Sequence, residues 1–107
     1  VVLGHSHCGA ITGACRGTEL GHLTDLLAKV KPSIEYVKAQ HQDLDILSKE
    51  GVDQVAFHNV EYTIDHILEK STVLKDMYEG GEIGIVGAFY KVETGEVDFV
   101  KEMFVQK

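Results

Sequence analysis

Cationic side chains are scarce in this chain. Ten Lys and Arg stand against seventeen Asp and Glu, giving a formal net charge of −7. A nucleic-acid surface needs clustered Lys and Arg, so this balance argues against one. Long apolar runs are also missing. None approaches the ~20 residues of a membrane span, and no membrane span is expected. Cysteine occurs only twice, as Cys8 and Cys15. Two cysteines in a domain of this size make no disulfide framework, which favours a metal-binding or buried role for them. There are no internal repeats and no low-complexity segments.

What is present suits one small globular domain: 107 residues, 44% hydrophobic and 25% charged. The chain begins at Val1, inside an apolar run. A natural domain rarely begins at the end of a buried strand. Residues 1–107 therefore read as a single partial domain of a longer protein. A targeting signal would lie outside them, so the sequence leaves both cytoplasm and periplasm open.

Val1-Val2-Leu3 reads as the end of a buried parallel strand. A glycine-bounded loop follows, then a short helix over 10–15, closed near Gly17. Leu20, Leu23, Leu26, Leu27 and Val30 form a helical stripe. Pro32 interrupts the chain, being tolerated in a first helical turn but not in an interior. A second stripe takes in Ile34, Val37, His41, Leu44 and Leu47, with Gly51 as its end. A third helix is expected from about Asp53 to Lys70, with Ala56, Val60, Ile64, Ile67 and Leu68 on its apolar face. Ser71 caps a further short helix whose buried face would be Val73, Leu74 and Met77, stopped at Gly80-Gly81. The period then changes. Residues 83–90 and 97–104 form a β-hairpin about the turn Glu93-Thr94-Gly95-Glu96, apolar at Val97, Phe99 and, with a slip, Val100. The fold class is α/β: a mostly parallel sheet flanked by helices, ending in a β-hairpin. Three strands are few for a sheet that helices must cover, so it reads as incomplete without further N-terminal strands.

The chemistry concentrates in Gly4-His5-Ser6-His7-Cys8-Gly9-Ala10. Zinc favours thiolate sulfur and imidazole nitrogen in tetrahedral array, and a His-x-x-Cys step lets His5 and Cys8 converge as a strand turns into a helix. Gly4 and Gly9 permit backbone angles that other residues resist. The first N–H groups of the next helix could receive an anion beside the metal. The spacing alone is weakly specific, and a buried thiol beside a hydrogen-bonded histidine is the alternative. Its place at the carboxyl end of a strand, where open α/β sheets bind ligands, favours the metal.

This loop resembles the second metal motif of the β-class carbonic anhydrases. The likeness runs in order through most of the chain. Leu20-Gly21-His22-Leu23-Thr24-Asp25-Leu26-Leu27 with Lys31-Pro32 resembles that family's next helix. Asn59-Val60 resembles part of its long helix. The run from Gly81 to Tyr90, with Thr94-Gly95-Glu96-Val97, resembles its last two strands. The resemblance implies a Zn2+ enzyme interconverting carbon dioxide and bicarbonate, assembled as a homodimer or a higher homo-oligomer. It implies His5 and Cys8 as two of three protein zinc ligands and the Gly9 N–H as a donor to substrate oxygen. The third ligand belongs to an earlier Cys-x-Asp-x-Arg motif, which this chain lacks; Cys15-Arg16-Gly17-Thr18-Glu19 does not fit it. Two other readings stay open: a non-catalytic zinc-binding scaffold, and a redox or structural thiol protein using Cys8 and Cys15.

The remaining residues carry quieter expectations. His7 is expected to face solvent, with a His-x-His pair or a proton relay as alternatives. Cys15 is expected as a small buried hydrophobe. His58, Tyr62 and His66 share a helix face, but the two histidines lie about 12 Å apart along the axis, too far for one ion. They read as a solvated or subunit-facing stripe. His22 and His41 have no convergent partner. Asp43, Asp45, Glu50 and Asp53 read as a wet surface at a helix end, and Tyr90 as core or interface.

Produced alone, the 107-residue chain is expected to be poorly soluble or molten, with dye-binding apolar surface and no sharp transition. Cooperative thermal unfolding of the isolated chain as a monomer would contradict this.

Overall fold

A computed structural model describes residues 1–17, 25 and 28–105. The stripe at Leu20, Leu23, Leu26 and Leu27, and His22 with it, lies outside the described residues. The ordered elements run β1 (Val2–His5), α1 (Gly9–Cys15), α2 (Lys31–Gln40), α3 (Lys49–Lys70), α4 (Thr72–Glu79), β2 (Ile85–Lys91) and β3 (Glu96–Met103). The fold is α/β. The strand order is β1-β2-β3, with β1 parallel to β2 and the β2–β3 hairpin antiparallel. Among the described residues the outer edge of β1 has no strand beside it.

Helix α3 organises the core. Val52, Val55, Ala56, Val60 and Ile64 recur at helical spacing and are all buried. The first three join Ile11, Ile34, Val37 and Phe89 in one cluster; Val60 and Ile64 join Ile85 in a second. The helix can lie this close to the sheet because two strand positions lack a Cβ. At Gly4 a Cβ would stand 2.7 Å from Val60 Cγ2, and at Gly87 2.8 Å from Val60 Cγ1 and 2.7 Å from Ile64 Cδ1. Gly4 therefore serves close packing rather than an unusual backbone angle, since its φ is not positive.

Three expectations are corrected. The second stripe does not run to Leu47. Helix α2 ends at Gln40, and α3 begins earlier than Asp53, because Ser48 caps it by accepting the Gly51 N–H at 3.0 Å. Gly51 thus lies in the first turn of α3. Its missing Cβ makes room for Asp45 O, which a side chain would overlap, and for Ile46 Cα at 2.8 Å. Leu44 and Ile46 reach the core from the intervening loop, while Leu47 stays exposed. The second correction concerns α4, which has its expected Ser71 cap but no buried residue. Val73 and Leu74 are exposed, and Tyr78 packs on the second cluster instead.

The third concerns β3. Gly87 pairs with Lys101 and Ala88 with Phe99, so Val100 is the extra residue of a β-bulge. The bulge turns Val100 onto both clusters and leaves Val97 and Phe99 outward, 47% and 66% exposed. Leu3, Ala88 and Phe99 share one register row on the sheet face away from α3.

Substitution at the glycine contacts checks this packing. Gly87→Ala and Gly51→Ala are each expected to lower stability by about 1–3 kcal/mol, the usual cost of overpacking. Gly51→Ala should be the worse, because it meets backbone, which cannot turn aside as a side-chain tip can. Denaturant titration of the variants in the full-length protein reads this, and an unshifted midpoint for Gly51→Ala would refute it.

Candidate metal centre

His5 is the last residue of β1, and Cys8 is the N-cap of α1 with extended backbone. Between them Ser6 and His7 make the turn. The Ser6 N–H donates to Tyr90 O at 3.0 Å, extending the parallel pairing by one residue. Ser6 is 1% exposed, and its Oγ accepts the Val92 N–H at 3.0 Å. His7 then takes φ +54°, the left-handed region that non-glycine residues seldom enter. On the far side, Thr12 Oγ1 and the Thr12 N–H both donate to Cys8 O, at 2.8 and 2.9 Å, which sets the first turn of α1.

The His5 ring has a defined tautomer. Its Nδ1 lies 2.8 Å from Ser6 O, and a carbonyl only accepts, so Nδ1 carries the hydrogen. The Nε2 lone pair is left for a ligand, the arrangement found in metal-binding histidines. Cys8 is a free thiol, and so is Cys15. His5 and Cys8 line one cavity of about 350 Å³, with Gly4, Asn59, Val60 and Thr63 among its walls. Among the described residues, a Cβ built at Gly9 would meet no atom within 4 Å. An imidazole nitrogen and a thiol on one cavity suit zinc in donor type. They supply only part of a shell. No group of three or more His, Cys, Asp or Glu able to hold a metal occurs among the described residues.

The other expected residues sort differently. His7 is half-exposed, as expected, but it is also paired: its Nε2 lies 2.5 Å from Glu93 Oε1, and its backbone N–H donates to Asp53 Oδ1 at 3.2 Å. Asp53 is therefore more than a solvated surface acid. The Ser6 hydroxyl, then the backbone N–H of Glu93 itself, Lys49 and the paired His7, hold the Glu93 carboxyl below the usual carboxylate value, though desolvation works against it. The short local motif gave no sign of the contacts made by Ser6, Asp53 and Glu93, which join positions up to 86 residues apart. Cys15 is half-buried against the first cluster, and burial raises its thiol above the ordinary value, partly offset by Lys38. The His58–Tyr62–His66 stripe divides. Tyr62 stacks on His66, and both line a separate cavity of about 490 Å³. His58 stacks on Tyr36 of α2 at 3.9 Å between ring centroids, with Nδ1 buried and unpartnered. Tyr90 is partly exposed on the outer sheet face.

A strand-to-helix turn within the α/β fold brings an imidazole and a thiol to one cavity. Comparison with known proteins gives the family. The carbonic anhydrase family matches residues 1–97. Carbonic anhydrase 2 of Mycobacterium tuberculosis is 29% identical over 100 residues, covering 89% of this chain and 45% of the relative. The β-carbonic anhydrase CafA of Aspergillus fumigatus superposes with a TM-score of 0.74 at 30% identity, over 91% of this chain and 45% of its own. One of two tetrameric β-carbonic anhydrases from Sordaria macrospora gives 0.72 at 28% identity, over 91% and 49%. The β-carbonic anhydrase CcaA shares the fold, with a TM-score of 0.81 at 20% identity over 99% of this chain and 50% of its own. This chain belongs to the β-class carbonic anhydrase family. It spans about half the length of the curated relatives it matches.

The stack of His58 on Tyr36 yields a pH dependence. Burial holds His58 below the ordinary imidazole value of 6.5, against weaker opposing pulls from Glu61 and Asp65. The unfolded chain therefore takes up this proton at higher pH than the folded one. Stability from His58 is present above about pH 6.5 and is lost as pH falls toward its folded value. His58→Phe keeps a ring against Tyr36 and removes the titration. In the full-length protein its thermal midpoint should fall less than that of the parent between pH 7 and pH 5, and equal slopes would refute the assignment.

Proposed function

We propose that this chain is part of a zinc-dependent carbonic anhydrase that interconverts carbon dioxide and bicarbonate. His5 Nε2 and Cys8 Sγ are two of its protein ligands. The third comes from a segment outside these residues, by resemblance the cysteine of a Cys-x-Asp-x-Arg motif. The observation that carries this reading is the shared cavity of His5 and Cys8, with His5 Nδ1 committed to Ser6 O. Family membership supports the same activity.

Bound zinc would supply Lewis acidity, lowering the pKa of water to about 7 so that a nucleophile exists near neutrality. The chain's own residues do the rest. Ile11, Ala56 and Val60 give the cavity an apolar wall suited to uncharged carbon dioxide. The Gly9 N–H, at the start of α1, is placed in sequence to donate to an oxygen of bicarbonate. The acidic balance of the chain suits a small gaseous substrate rather than a polyanion. A homodimer or higher homo-oligomer is the proposed assembly, one structural relative being described as tetrameric.

The experiment uses the full-length protein. It should contain one zinc per chain and accelerate carbon dioxide hydration. His5→Ala and Cys8→Ser should each lower zinc affinity by more than the ~10–100-fold that loss of an outer hydrogen-bond partner costs. Chelation should expose Cys8 to a thiol reagent and leave the reactivity of Cys15 unchanged. A zinc-loaded but inactive protein would favour the scaffold reading. A protein without zinc, with both thiols reactive, would favour the thiol reading.

A further inference from the structure

The turn between His5 and Cys8 is gripped from behind by groups distant in sequence. Ser6 is buried and bonded through N–H and Oγ to the end of β2 and the chain just beyond it. His7 is gripped twice more, by Asp53 of α3 on its backbone N–H and by Glu93 of the β2–β3 turn on its ring. Lys49, in the first turn of α3, reaches the same Glu93 oxygen at 3.8 Å. As isolated surface pairs these contacts would matter little, since Glu93 and His7 are 35% and 46% exposed in their side chains. Their position matters more. They converge on the one non-glycine residue with positive φ among the described residues, and that residue sets the angle between two metal ligands.

We propose that Glu93 and Asp53 are positioning residues that hold His7 in its left-handed conformation. They thereby fix the approach of His5 to Cys8 and govern how firmly zinc is retained, without touching the ion. The proposal rests on the zinc reading above. A histidine released from both carboxylates would relax toward negative φ, the region preferred by residues with a Cβ. Rotation at His7 swings Cys8 relative to His5, because only this residue and Ser6 separate them, and Ser6 is locked to the sheet. The two carboxylates come from opposite sides of the turn, from α3 and from the hairpin. Each restrains a different part of His7, and neither alone fixes both its backbone and its ring.

The test compares full-length wild type with Glu93→Gln and with the double variant Asp53→Asn, Glu93→Gln. Zinc dissociation into excess chelator is followed together with the visible spectrum of the cobalt(II)-substituted protein, which reports ligand geometry. The double variant is expected to lose zinc about tenfold faster, the lower end for outer partners of metal ligands. Its cobalt bands should shift while the thermal midpoint of the metal-free protein stays within a few degrees of wild type. Zinc loss within twofold of wild type, with unaltered cobalt bands, overturns the proposal. If the double variant does not fold, Glu93→Gln alone is judged by the same criteria. A wild-type protein that takes up no zinc overturns the function proposed above. The clamp is then read from hydrogen exchange at the His7 amide of the metal-free protein. Faster exchange in the double variant sustains it, and equal exchange overturns it.

Discussion

Val60 stands against two strands at once, and most of this molecule's order follows from that contact. Its methyl groups occupy the space a side chain would need at Gly4 and at Gly87, on adjacent strands. The helix can therefore bring Val55, Ala56 and Ile64 into the sheet as well, joining two clusters along one axis. Burying each aliphatic side chain contributes about 1.5–3 kcal/mol, against a net stability of about 5–15 kcal/mol for a typical domain. Exposed ion pairs such as Lys91–Asp98 and Lys101–Asp65 contribute ~0–1 kcal/mol each. Packing across the glycine trough thus decides where β1 lies, and the charges adjust to it.

The site inherits its geometry from that placement. β1 runs into the turn with its register set by β2, and Ser6 carries the register one residue further. The His5 ring is oriented by the carbonyl of this same pinned residue. Cys8 is oriented by the first turn of α1, whose Ile11 belongs to the α3 cluster. Both donors therefore trace back through a few hydrogen bonds to rigid elements, the condition for precise ligand placement. His7 is the weak joint between them, which makes its two distant carboxylate partners matter.

Local chemistry was the legible part of the sequence. The His5-x-x-Cys8 turn, the Ser71 cap, the Gly80-Gly81 stop and the hairpin about Gly95 each depend on residues within a few positions of one another. They formed as their spacing implies. Even the slip at Val100 could be read, since the apolar alternation of β3 breaks there. What alternation could not tell was which side of the break faces the core, because that depends on β2 and α3. The misread helix boundary at 41–48 has a similar cause. Leu44 and Leu47 continue a helical period, but Ser48 offers the next helix a cap, and the cap decides. Ser6, Asp53 and Glu93 were out of reach for another reason. Serines and acids are common, and only the folded chain brings Asp53 and Glu93 to the turn and gives Ser6 its distant partners.

The contacts that shape this turn are all between protein groups. Ser6 meets Tyr90 and Val92, Thr12 meets Cys8, and Asp53 meets His7. Two donors still fall short of a full zinc shell. On the proposed reading, a third ligand from another segment couples metal retention to the docking of that segment. The same ion would then join the halves of the domain, and the loss of either the segment or the turn would release it. Among the described residues, the outward side chains of Leu3 and Phe99 add exposed apolar area for such docking to bury. Metal binding and completion of the fold would then draw on separate groups, sulfur and nitrogen for one and the outer sheet face for the other, yet each would stabilise the same assembled state.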